Sequence, residues 1–294
     1  MLCVGPFVLL LMTFNASHRQ VIICGGFVSA LSTLASFFAH NVEVLYVTYG
    51  ILSGTFVGIS YFAGNTIVGC YFKKKRTVAV GIAQSGTGVG AFALNYLLER
   101  SIFFYGMRGT FLLISGLLLN FLVYGALCRP LKTVNTEKKM KDVMKNPGMQ
   151  LLLIIYFFWT AGECVILYLP AKAVNVGLTR EQGALTMSIY GAVFMLSQIV
   201  VGILADLIHI PQSYLLMSSL LGMAATSFAF TFCHSFPWFV LCTSLFAIFH
   251  GFTFPLRVVL VSSILGVRNL TKGYSPLCLM IGLTYIIDTI ITGK

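Results

Sequence analysis

Long apolar runs follow one another along almost the whole chain, broken only by short polar stretches. A helix needs about 20 apolar residues to cross the hydrocarbon core of a bilayer. Inside that core every backbone N–H and C=O must find its partner within the protein, which leaves helices as the natural solution for such runs. Ten segments are read, at roughly 2–14, 20–39, 44–70, 77–98, 109–128, 149–172, 184–208, 212–233, 237–265 and 275–292. The first is too short to span and lacks the positive start of a signal peptide. It reads as the end of a helix whose beginning lies elsewhere. Only 9% of the residues are charged and 58% are hydrophobic, whereas soluble domains carry about 25% and about 45–50%. A water-facing surface cannot be made from so little charge. The expected fold class is an all-α polytopic membrane protein.

The net charge is +11. The cations sit in short loops between apolar spans, so they point to membrane orientation and not to nucleic acid. If the loop at 71–76 is cytoplasmic, so are those at 15–19, 129–148, 209–211 and 266–274. Thirteen of the nineteen Lys and Arg residues then fall on that side. Lys73, Lys74, Lys75 and Arg76 form the densest cluster. The opposite loops hold Arg100, Arg108 and Arg180. Cytoplasmic loops retain Lys and Arg, so the cluster is expected to be a topological anchor on anionic headgroups. A second expectation is that it gates the cytoplasmic side. The sequons at Asn15 and Asn269 fall on the same side and are expected to carry no glycan.

The polar stretch RPLKTVNTEKKMKDVMKNPG at 129–148 divides the chain almost in half. The expected organisation is an N-terminal helical bundle at 1–128, a cytoplasmic linker at 129–148 and a C-terminal bundle at 149–294. Two bundles joined by a central linker match the layout of a major facilitator carrier. Gly50, Gly54 and Gly58, and again Gly86 and Gly90, repeat every four residues, which predicts close helix contacts. The SGTGVG run lies inside an apolar span, so it reads as helix packing and not as a phosphate-binding loop. The eight cysteines include no CxxC pair and the five histidines show no metal spacing, so neither a metal nor a cofactor is expected. No HExxH, nucleophile elbow or usable Walker loop occurs, and the chain is not expected to be an enzyme.

The stretch YFKKKRTVAVGIAQSGTGVGAFAL at 71–94 resembles the signature of the monocarboxylate transporter family. Tyr71, Phe72, Lys74, Lys75 or Arg76, Ala79, Gly81, Ala83, Gly86, Val89 and Gly90 carry the match. YGMRGTFLLISGLLLNFLVYGALCRPL at 105–131 is similar to that family's sixth helix and its exit. Arg19 with Gly25 and Gly26 resembles the turn between helices 2 and 3, and Gly202 with Asp206 in VGILADL resembles the end of helix 8. The resemblance implies an incomplete major facilitator fold of about 9–10 of twelve helices, running from within helix 2 to within helix 11. It also implies a small organic solute, a coupled proton, an accessory single-span glycoprotein and the plasma membrane. Family members that move lactate with a proton carry an Asp and an Arg on helix 8, where this chain has Phe194 and Gln198.

Charge at bilayer depth is costly and points to function. Three residues qualify: Arg257, Glu163 and Asp288. Arg257 lies in GFTFPLRVVL, two residues after Pro255. A proline there removes an amide donor from the helix, and a guanidinium can hold a carboxylate through two parallel hydrogen bonds. The alternative is an Arg257 that snorkels or pairs structurally. Glu163 is a candidate proton site, and its alternative is a hydrogen-bonded acid between helices. Asp288 is a candidate partner for Arg257. His250 is expected to be a packed, hydrogen-bonded imidazole. The expected function is a carrier for a small organic anion working by alternating access. Its rivals are a non-transporting truncated isoform or incomplete gene model, and a solute sensor.

Overall fold

The computed structural model describes residues 4–13, 17–72, 74–129, 139–163, 165–233 and 235–292. Asn15 of the first sequon, Lys73 and linker residues 130–138 lie outside these residues. Among them the secondary structure is helical throughout, as the apolar runs require. Helix α1 is Gly5–Thr13, α2 is His18–Phe37, and α3 is Val42–Tyr71, whose Tyr46–Ser53 part is wound as a π-helix. Helix α4 is Arg76–Leu118 and α5 is Asn120–Leu127. The linker contains α6, Met140–Lys145, and beyond it come α7, Pro147–Glu163, and α8, Val165–Asn175. The remaining helices are α9, Arg180–Asp206, α10, Gln212–Ala229, α11, Phe236–Leu265, and α12, Leu270–Thr292. Eight helical stretches of the described residues are long and apolar enough to cross a membrane. They coincide with eight of the ten segments read from sequence. The other two are α1, which is too short, and the pair α7 and α8.

Helix starts are set by local chemistry. Ser17 with Gln20, and Thr179 with Gln182, form capping boxes that satisfy the first amides of α2 and α9. One boundary departs from the sequence reading. Residues 99–108, expected as a loop, are helical up to Gly106. That residue takes φ 68° and ψ 179°, a combination essentially confined to glycine. The chain turns there and returns, so that the Tyr71 hydroxyl meets the Arg129 carbonyl at the end where α4 began.

The glycine expectation needs a second correction. Gly50, Gly54 and Gly86 have nothing within 4 Å of where a Cβ would stand, and Gly90 meets only Leu94 of its own helix. The close contacts lie elsewhere. A Cβ on Gly202 would stand 2.6 Å from Val78 Cα, and one on Gly88 would stand 2.8 Å from Met195 Cα. Gly81 faces the Gln198 carbonyl just as closely. These three contacts bring the first limb of α4 against α9 over much of their length, joining the two halves of the chain.

Large apolar side chains such as Phe103, Leu127, Phe158 and Phe228 are exposed. In water such a surface would associate, but facing lipid it is what hydrocarbon requires. A buried core lies among α7, α11 and α12, where Tyr156, Phe239, Leu256 and Tyr274 are fully enclosed.

Candidate functional site

Helical spacing gathers the site. On α7, Tyr156, Trp159 and Glu163 fall at i, i+3 and i+7. On α11, His250, Phe254 and Arg257 fall at i, i+4 and i+7. On α9, Tyr190, Phe194 and Gln198 fall at i, i+4 and i+8. Each set therefore shares one face of its helix, and the three faces converge. Helix α11 runs unbroken through Pro255. Gly251, one turn earlier, lets α9 approach, since a Cβ there would stand 2.9 Å from the Phe194 carbonyl oxygen.

Arg257 sits at the centre, 2% exposed. Its guanidinium carbon lies 4.6 Å from the Trp159 ring, 4.9 Å from Phe254 and 5.2 Å from Tyr156. Aromatic faces stabilise a desolvated cation by roughly 2 kcal/mol or more where the geometry is good. A ring face takes up positive charge without accepting an N–H hydrogen bond. Nε and Nη2 of Arg257 make no hydrogen bond among the described residues. The charged and phenolic groups that face it are Tyr274, Tyr156, Tyr61 and Glu163. Asp288, the partner expected from sequence, is not one of them. It is partly buried near the end of α12.

Beside this cation lies an acid–imidazole pair. Glu163 Oε1 is 3.6 Å from His250 Nε2, and the Tyr190 hydroxyl is 2.7 Å from His250 Nδ1. When Tyr190 donates to Nδ1, the remaining ring proton sits on Nε2 and faces Glu163. The imidazole is stacked against Trp159, Tyr190, Phe194 and Phe246. The packed, hydrogen-bonded His250 read from sequence is thus present, with an acidic neighbour that the sequence did not reveal. Phe194 acts here as a wall of the imidazole pocket.

The N-terminal half contributes amides and hydroxyls. Tyr61 donates to Gln84 Oε1 at 3.2 Å, and Gln84 donates to Asn65 Oδ1 at 2.7 Å. Gln198 Nε2 donates to Thr87 Oγ1 at 3.2 Å across the two halves, and its Oε1 accepts nothing among the described residues. Tyr61, Asn65, Gln84, Thr87 and Tyr190 carry no charge and are not among the matched motif residues, so sequence alone does not single them out. Polar side chains recurring on apolar spans were the available signal. Two open grooves of about 520 and 530 Å³, near Lys74 and near Pro237, are lined by residues outside this cluster.

At the end where the cations gather, the two halves are fastened together. Arg76 Nη1 donates to Ser262 Oγ at 2.9 Å. The Asp206 carboxylate accepts from Thr77 Oγ1 at 2.6 Å and from the Val78 amide at 2.9 Å. An acid at the first turn of α4 also meets the positive end of that helix. Lys74 and Lys75 are exposed and free to meet headgroups. The cluster read from sequence is therefore divided in role, with Arg76 alone of its described members reaching across the halves.

Comparison with known proteins fits this geometry. The family model described as Major Facilitator Superfamily matches residues 2–275. Monocarboxylate transporter 12-B of Danio rerio is 26% identical over 94% of this chain and 67% of its own length. Monocarboxylate transporter 12 of Homo sapiens is 26% identical over 95% of this chain and 62% of its own. Monocarboxylate transporter 14 of Mus musculus is 38% identical over a shorter stretch, 46% of this chain. The chain thus spans about two thirds of the length of the transporter 12 relatives. Among solved structures, the E. coli fucose:proton symporter FucP superposes with a TM-score of 0.77 at 16% identity, covering 99% of this chain and 80% of its own. The human organic anion transporter MFSD10 gives 0.69 at 13% identity over 98% and 74%. At such identities the likeness is one of fold. A family match along nearly the whole sequence leads to one conclusion: the chain belongs to the major facilitator superfamily, a family of transporters and not of enzymes, and is related in sequence to the monocarboxylate transporters.

Proposed function

We propose that the chain carries a small organic anion across a membrane by alternating access, with Arg257 holding the anionic group. One observation carries this reading. Arg257 is buried among aromatic rings while Nε and Nη2 keep their donors unused. A bidentate carboxylate uses two such donors, and the rings of Tyr156, Trp159 and Phe254 suit the apolar body of the same molecule. Glu163 and His250 supply a proton site in contact with this region, so the anion moves with a proton. The cation-rich end faces the cytoplasm. Arg76, Ser262, Asp206 and Thr77 hold that end shut, which corresponds to a state open to the other side. The membrane is the plasma membrane, and an accessory single-span glycoprotein assists; these two points rest on the relationship to monocarboxylate transporters.

The test is uptake into liposomes containing the purified chain, with radiolabelled monocarboxylates and neutral solutes of matched size. Saturable uptake of carboxylates, lost in Arg257→Gln without loss of folded protein, supports the proposal. Undiminished uptake in Arg257→Gln refutes the role of Arg257. Uptake no faster than in empty liposomes favours a non-transporting chain.

A further inference from the structure

Two cysteines far from the central cluster stand together. Cys233 follows the short turn Phe230–Phe232 that ends α10, and Cys242 lies in the second turn of α11. Their sulfurs are 3.3 Å apart, both thiols are free, and both residues are buried, at 3% and 5% exposure. Cys233 is in extended backbone, as is Ser235, which caps α11. The Cys233 sulfur also lies 3.4 Å from the Ala229 carbonyl oxygen and 3.8 Å from that of Trp238. Cys242 is held on a rigid helix whose first turns pack Phe239 against Phe230.

We propose that Cys233 and Cys242 are a redox modification site, a dithiol that closes to a disulfide across the α10–α11 connector. A disulfide has its sulfurs about 2.05 Å apart, so closure needs a further approach of roughly 1.3 Å. The non-helical backbone at Cys233 can supply that movement while Cys242 stays in place. The oxidant is a small-molecule disulfide. The Cys233 thiolate attacks one of its sulfurs and expels one small thiol. The Cys242 thiolate then attacks Cys233 Sγ of the mixed disulfide and expels the second. One disulfide is consumed, one is formed, and the two protons of the cysteines end on the two small thiols. The connector lies at the end opposite the cation-rich loops, because α11 runs from it to Ser262, which meets Arg76. On the orientation proposed above, that end faces the oxidising side of the membrane, where disulfides persist. The pairing itself does not depend on that orientation.

The experiment uses the purified chain in detergent micelles, exposed to hydroxyethyl disulfide. Free thiols are then blocked with N-ethylmaleimide, and a non-reduced chymotryptic digest is read by mass spectrometry. Cleavage near Trp238 and Phe239 separates the two cysteines, so a disulfide between them leaves two peptides joined until reduction. The expected product is this pair, at least tenfold above any other cysteine pair, and at least fivefold less abundant when the chain is first unfolded in SDS. In Cys242→Ser the joined peptides vanish and Cys233 retains the hydroxyethylthio group as a mixed disulfide. Maleimide on both cysteines of the folded chain, links spread evenly over other cysteines, or an equal yield after unfolding would each overturn the proposal.

Discussion

Asp206 offers the sharpest prediction about how the halves are held. Its carboxylate takes two hydrogen bonds from the first turn of α4, one from the Thr77 hydroxyl and one from the Val78 amide. Hydrogen bonds to a charged group contribute about 1.5–3 kcal/mol each. Asp206 is only partly buried, so the lower figure applies and the pair stabilises the closed end by about 3 kcal/mol. Asp206→Ala removes both. A change of 1.4 kcal/mol is tenfold in an equilibrium constant, so opening of this end should rise about 100-fold. The Val78 amide reports it directly, because its acceptor is the deleted carboxylate. Hydrogen exchange of the 76–80 peptide, measured on folded protein, should quicken by about that factor. The amides of α7, remote from the change, should exchange as before. Exchange at Val78 within threefold of the parent chain would refute the reasoning, since the halves would then be held by something other than Asp206.

Three further outcomes follow from the same structure. Gly81→Val places a side chain against the Gln198 backbone, which no rotamer change relieves, and should lower thermal stability by about 1–3 kcal/mol or more; unchanged melting in detergent would contradict the packing described. Glu163→Gln leaves His250 without its acidic neighbour, so pH-driven uptake should fall at least tenfold while exchange of substrate for substrate persists; equal loss of both would remove Glu163 from coupling. Asn269 is 3% exposed and donates to the Leu265 carbonyl, so an Asn269→Gln chain should have the same mass on gels as the parent before and after glycosidase treatment.

Hydropathy predicted the spans well because bilayer thickness fixes segment length, and nearly every long helix lies where an apolar run was read. Loop charge likewise predicted which breaks share an end, and the contacts among Tyr71, Arg76, Arg129, Asp206 and Ser262 agree. The glycines show the limit of such reading. Gly50 and Gly54 have the right spacing but no helix opposite, whereas Gly202 and Gly81 matter because α9 and α4 happen to face each other. Contact is a property of two helices, and a repeat reports only one. The site behaved in the same way. Arg257, Glu163 and His250 stood out singly as polar residues at bilayer depth. Their meeting depends on α7 and α11, which are 87 residues apart at the Glu163–His250 pair. Arg257 and Asp288 show the same limit, since hydropathy assigns each a depth and neither an azimuth.

The central claim is that Arg257 binds the transported anion, and Trp159 is placed to report it, 4.6 Å from the guanidinium. The chain has two tryptophans, and Trp238 is 64% exposed, so a Trp238→Phe chain leaves one reporter in the site. Titration of that chain with small monocarboxylates should give a saturable change in Trp159 fluorescence, absent when Arg257→Gln is added. The same saturable change with Arg257 removed, or none with any carboxylate in the parent chain, would contradict the account.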